Sequence, residues 1–170
     1  MRRLILFRHA KAEPRAPGGE DFDRSLAARG RTDAALMGRV LAREKLSPDL
    51  ALVSTARRAA ETWEEARKAF PGTRTQTCEA IYNASAEEIL AEVERVAAGA
   101  ETVMVVGHNP GLHELAVDLL IRGSASDSHI DTTAARFPTA TAASMLIDED
   151  MRASWDGLFL ARDYGGEGEG

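Results

Sequence analysis

Two histidines and several arginines stand directly after short apolar runs in this chain. Leu4–Phe7 runs into Arg8-His9, with Lys11 two positions on; "DLALVS" leads into Thr55-Ala56-Arg57-Arg58; Val103–Val106 is followed by Gly107-His108-Asn109. Arginine forks match tetrahedral oxyanions in a bidentate way, and an imidazole titrating near ~6.5 can act as nucleophile, acid or donor around neutral pH. Ligands of open α/β sheets bind beyond the carboxyl ends of the strands. If the three runs are parallel strands, the histidines and two or three arginines therefore meet in one crevice. A phosphoryl group is the natural guest. His9 would attack phosphorus in line, its other ring nitrogen fixed by a backbone carbonyl, while Arg8, Arg58 and His108 neutralise the equatorial oxygens. With no metal or other cofactor expected, those cations must supply the electrostatic stabilisation. Taken alone, Arg8-His9 reads equally well as a solvated strand end; the convergence with Arg58 and His108 is what favours chemistry.

The elements that must position these residues follow from periodicity. Leu4–Phe7, the "DLALVS" run and Thr102–Val106 are short and apolar throughout, as strands covered on both faces are. Helical spacing appears in "TDAALMGRVLAREKL", in "RRAAETWEEARKAF" up to Pro71-Gly72, in "AEEILAEVERVAAG", and from Gly111 to Ile121. Ser85 and Glu88 form a capping box for the third of these helices, and Ser54 is expected to cap the helix that begins near Arg57 or Arg58. Ala142–Ile147 and Trp155–Ala161 read as further strands, and "SASDSHIDTTAARFP" as a polar loop without a period. Strands alternating with helices predict a three-layer α/β/α domain with a mostly parallel central sheet over residues 1–162. Residues 163–170, ending "YGGEGEG", have nothing to bury and are expected to be a disordered tail.

Composition narrows the function classes. The net charge of −6 over 170 residues argues against general nucleic-acid binding. No run of about eighteen apolar residues suggests a membrane span. A single cysteine, Cys78, sits in no metal-ligand spacing and reads as a small strand or core residue of a cytoplasmic protein.

The motifs resemble the histidine phosphatase superfamily, which includes the phosphoglycerate mutases. "LILFRHAKAE" resembles its Arg-His-Gly/Ala signature. "LVSTARRAAET" resembles Ser-Pro-x-x-Arg-Ala-x-Gln-Thr, which aligns the binding arginine with Arg58 rather than Arg57. "VMVVGHNPGLHELA" resembles the segment of the second active-site histidine, His108, and "DFDRSLAARGRTDA" the intervening Asp-x-x-Arg-x-Leu-Thr-x-x-Gly segment. Within the superfamily, the short length, "IYNASAEEIL" and "RFPTATAASMLID" look most like SixA-type phosphohistidine phosphatases. The resemblance implies the superfamily's fold, a metal-independent phosphohistidine intermediate on His9, and a substrate that is a phosphohistidine protein or a small phosphorylated metabolite. A monomer or weak dimer is expected.

The chain departs from the pattern at Thr55, where proline is usual, and at Glu61, where glutamine is usual. The superfamily's general acid has no clear counterpart; Glu79 is the nearest candidate in the middle segment. Alkoxide leaves only with a proton from a positioned acid, whereas imidazole leaves a P–N bond readily once solvent has protonated it, so a site lacking the acid should favour phosphohistidine. Arg57 is expected to pair with Glu61 at helical spacing. Lys11 either steers anions or is simply solvated, and Asn109 either donates to the site or shapes the turn before Pro110. His113 reads as a surface or packing residue and His129 as an exposed loop residue. Competing readings are a phosphoglycerate mutase, a phosphate-sensing module with weak turnover, and a metallohydrolase built on His9, His108, His113 and His129.

Overall fold

A computed structural model describes residues 1–150 and 152–167. Strands β1 (Arg3–Arg8), β2 (Leu50–Ser54), β3 (Arg74–Cys78), β4 (Thr102–Gly107), β5 (Thr141–Ile147) and β6 (Ala153–Leu160) form one sheet in the order β3-β2-β4-β1-β5-β6. The pairs β3–β2, β2–β4 and β4–β1 are parallel, while β5 runs antiparallel to both β1 and β6. The expected mostly parallel α/β sheet is what forms.

Side-chain alternation along the central strands splits the core in two. Leu4, Leu6, Leu52, Val103 and Val105 face one layer with Ile89, Leu112 and Leu115. Ile5, Phe7, Ala51, Val53, Met104 and Val106 face the other with Met37, Leu41 and Trp63. Helices α3 (Ala86–Val96) and α4 (Gly111–Arg122) cover the first face, and α1 (Ala28–Arg43) and α2 (Arg57–Ala66) the second. Both faces of these strands are thus buried, which is why their sequence reads as continuous apolar runs. The α1–α2 crossing is close because Gly38 has no side chain: a Cβ there would lie 2.4 Å from the Ala66 carbonyl oxygen. The capping box at α3 is present, with Glu88 N donating to Ser85 Oγ and Ser85 N to Glu88 Oε2.

Three features differ from the sequence expectation. β3 has no apolar signal; four of its five residues are exposed, and it is held as an edge strand by backbone pairing to β2. The stretch read as a polar loop contains α5 (Asp127–Ala135), which buries only Thr133 completely and so carries almost no amphipathic signature. The residues after Leu160 are tied down as far as Glu167: Ala161–Tyr164 form a 3₁₀ turn, Gly166 N donates to Ala161 O, and Glu167 N donates to Asp33 Oδ1. The rest of the expected disordered tail, residues 168–170, lies outside the described residues. No described helix is long and apolar enough to cross a membrane.

Candidate active site

The β1–β4 register begins the assembly. Arg8 is level with Gly107, and the His9 amide extends the ladder to Gly107 O at 3.0 Å. His9 and His108 therefore leave adjacent parallel strands side by side, with ring centroids 5.1 Å apart. β2 flanks β4 on its other side, and its last residue reaches His108, Ser54 Oγ lying 2.8 Å from Nε2. α2 starts three residues after Ser54 and brings Arg58 in; the Arg58 Nε–H donates to His9 Nε2 at 3.2 Å. The three strand ends thus converge as the sequence predicted.

The tautomer of His9 follows from its partners. Its Nδ1 lies 2.8 Å from Ala10 O, which can only accept, so Nδ1 carries the hydrogen. Nε2 then keeps its lone pair, consistent with its accepting from Arg58. Burial pushes the His9 pKa down to about 3; the Ala10 carbonyl opposes this, and the positive surroundings of His108, Arg58 and Arg8 add to it. His108 is likewise lowered to about 3, by burial first and then by Arg58 and Arg8, against the opposing charge of Asp21. Both imidazoles are neutral at pH 7, and His108 Nδ1 is buried with no hydrogen-bond partner among the described residues. Thr62 supports the loop after His9, its Oγ1 accepting from Ala10 N at 3.0 Å and donating to Arg58 O at 2.6 Å.

Other predicted residues fall as follows. Arg8 Nη1 and Asn109 Nδ2 donate to the same carbonyl, Phe137 O, at 2.8 and 2.9 Å. The Asn109 amide nitrogen is thus engaged by the backbone at Phe137, and a cis peptide joins Asn109 to Pro110. Ser54 does not cap α2, because Ala56 is the N-cap residue and makes no side-chain cap; the Ser54 hydroxyl instead accepts from Ala56 N and orients His108. Glu79 is exposed at the start of the 3₁₀ turn Glu79–Ile81, and its side chain makes no hydrogen bond or ion pair with His9, Arg8, Arg58 or His108 among the described residues. Lys11 is half-buried, and its carbonyl accepts from Ala27 N.

Glu61 is spent structurally, accepting from Leu26 N, Arg31 and Arg57, so its extra charge is balanced away from Arg58. Burial would raise its pKa, but those three donors hold it below the usual range. His113 stacks on Phe137 and lies 2.8 Å from Thr133 O, while His129 stacks on Trp155; neither joins His9 and His108. Among the described residues no group of three or more His, Cys, Asp or Glu is arranged to hold a metal ion.

Two residues at this site carry no assigned role in the sequence reading. Asp21, on the 3₁₀ turn Asp21–Asp23, accepts from Arg58 through both its carbonyl (Nη1, 2.8 Å) and Oδ2 (Nη2, 3.0 Å). Tyr82 donates its hydroxyl to the same Oδ2 at 2.9 Å and sets its ring edge-on to His108 and over Arg58. Their signal was present, since both lie inside the quoted segments "DFDRSLAARG" and "IYNASAEEIL". What was missing was the long-range contact that brings the two segments together. Arg24 binds Asp21 Oδ1 at 2.9 Å. The Arg24 hydrogen bond first, then those of Tyr82 and Arg58, hold the Asp21 carboxyl down at about 2 against a smaller effect of burial.

Comparison with known proteins agrees with this geometry. Residues 4–89 match the family model of the histidine phosphatase superfamily (branch 1). An uncharacterised protein of Mycobacterium tuberculosis is 33% identical over 134 residues, which cover 78% of this chain and 82% of that one. The crystal structure of a candidate phosphohistidine phosphatase SixA from Agrobacterium tumefaciens superposes with a TM-score of 0.81 at 30% identity, over 93% of this chain and 97% of that one. A protein histidine phosphatase SixA complexed with tungstate shares the fold, with a TM-score of 0.80 at 21% identity over 95% and 99% of the two chains. The chain belongs to the histidine phosphatase superfamily and is a phosphatase of that superfamily.

Proposed function

We propose that the chain removes phosphoryl groups from phosphohistidine through a covalent intermediate on His9. The observation that carries this reading is the state of His9: neutral, with Nδ1–H donated to Ala10 O and the Nε2 lone pair held among Arg8, Arg58 and His108. In the first step His9 Nε2 bonds to phosphorus as the P–N bond of the substrate breaks, and the departing imidazole takes its proton from solvent. In the second, water adds to phosphorus, the P–Nε2 bond breaks, inorganic phosphate leaves and Nε2 recovers its lone pair. Arg58 and Arg8 stabilise charge on the phosphoryl oxygens, and His108 Nδ1 is available to donate in its protonated tautomer.

The preference for phosphohistidine rests on proton supply. Asp21, the carboxylate on Arg58, is held ionised, and the exposed Glu79 makes no hydrogen bond or ion pair with the histidines or arginines of the site among the described residues, so neither has a proton placed for an alkoxide. The likeness to the SixA structures supports the same substrate class. The test is turnover of a phosphohistidine peptide, a phosphotyrosine peptide and a sugar phosphate by wild type and His9→Ala. The phosphohistidine peptide is expected to turn over fastest, with His9→Ala losing ~10³-fold or more. Faster sugar-phosphate turnover overturns the substrate assignment; full activity in His9→Ala overturns the nucleophile.

A further inference from the structure

We infer that Asp21 is a built-in oxyanion, seated where a phosphoryl oxygen would bind, and that an incoming phosphoryl group must displace it from Arg58. This rests on the phosphate-binding role of Arg58 proposed above. Arg58 is 5% exposed and held in place. Its Nε donates to His9 Nε2 at 3.2 Å and its Nη2 to Asp21 Oδ2 at 3.0 Å. Nε and Nη2 lie on one edge of the guanidinium plane, the edge whose parallel donors match two oxygens of a tetrahedral anion. One of those positions faces the nucleophile's lone pair, and the other already holds a carboxylate oxygen. That oxygen also accepts from Tyr82, so it is surrounded by donors much as a bound phosphoryl oxygen would be.

The two partners differ in how easily they can move. Arg58 projects from a buried position on α2, whereas the Asp21 side chain is 50% exposed and the turn Asp21–Asp23 buries none of its residues. Arg24, anchored by Nε to Glu13 O at 2.7 Å, holds the other carboxylate oxygen and can keep Asp21 near the mouth after it leaves Arg58. The carboxylate is therefore the group that yields. Until it does, it competes with every anion of the same size and keeps free phosphate from occupying the fork. A substrate succeeds when its phosphoryl group outbids the carboxylate for the Nη2 donor and brings additional contacts with it. Because donors on both oxygens keep Asp21 ionised, it acts as a competitor for the arginine, not as a proton donor.

The test is direct titration with inorganic phosphate, and separately with tungstate, of the chain with Asp21 intact, with Asp21→Asn and with Asp21→Ala. Each is made in a His9→Ala background, so that binding is read without turnover. Both variants are expected to bind phosphate about fivefold more tightly or better, since a competing charge and its repulsion of the dianion are removed. Simple damage to the turn would weaken binding, so a gain is not what a merely structural role produces. Unchanged or weaker phosphate affinity in both variants overturns the inference. Two variants are used so that poor folding of one leaves the other to decide. The proposed activity fails separately, through the substrate panel, because the titration requires no catalysis.

Discussion

The floor of the site and its rim are built on opposite principles. His9, Arg58 and His108 are 9%, 5% and 4% exposed, and each follows closely on the end of a central strand. Asp21 and Phe22 stand on a 3₁₀ turn, with the Asp21 side chain 50% and Phe22 36% exposed, and Phe22 packs edge-on against Tyr82. The floor is held by strand pairing and by the two core layers, so its geometry is set once the sheet forms. The rim is held by a few polar contacts and one aromatic pair, at small energetic cost to rearrange. In-line attack tolerates little displacement, which suits the floor, whereas selection among substrates needs groups that can give way.

Removing a floor cation is the most severe way to break this comparison. Arg58→Ala is expected to lower kcat/KM on an aryl phosphate by ~10²- to 10³-fold, measured by steady-state kinetics. The Asp21 variants, which alter the rim, should move phosphate affinity in the opposite direction. A loss on Arg58→Ala smaller than that on Phe22→Ala would reverse the assignment of floor and rim.

Acidification probes the floor through stability. His9 and His108 titrate near 6.5 when unfolded and near 3 in the fold, so between those values the unfolded chain binds protons that the folded one does not. Their contribution is complete above 6.5 and declines as pH falls toward 3. A loss on the order of a few kcal/mol is expected across that window, seen as falling urea midpoints, with a shallower decline in His108→Gln. The same pKa values keep His9 unprotonated well below pH 6.5, so the acidic limb of kcat/KM should not coincide with ordinary histidine titration.

Thr62→Val sharpens how the floor is held. It leaves Ala10 N–H buried without its acceptor and should cost about 1–3 kcal/mol in chemical denaturation, with a fall in kcat from the loosened His9 loop. Stability unchanged within error would show that the loop after His9 is held by its neighbours alone. Phe22→Ala is the mildest change. About 1 kcal/mol or less is expected, appearing in KM for peptide substrates rather than in kcat.

Much of this architecture could be read along the chain because strands buried on both faces leave an unmistakable apolar run, and the polar residue after each run marks its carboxyl end. Arg8, His9, Arg58 and His108 were visible in that way, as was the Arg57–Glu61 pair at helical spacing. β3 and α5 were not, because an exposed edge strand is specified by its neighbour's backbone and a helix burying little else than Thr133 has almost no period. Ser54 was misjudged for a related reason. Its position before a helix suggested a cap, whereas its partner His108 lies 54 residues away in sequence and becomes adjacent only through the β2–β4 pairing.

The sequence by itself determined the strand ends, the family and the set of candidate residues for binding and attacking a phosphoryl group, because those depend on local pattern and residue chemistry. Only the tertiary structure decided which nitrogen of His9 keeps its lone pair, because that requires Ala10 O and Arg58 on opposite sides of the ring. It also decided that Arg58 and Tyr82 both donate to one carboxylate oxygen of Asp21, since residues 21, 58 and 82 meet only when the loops before α1 and after β3 fold over the start of α2.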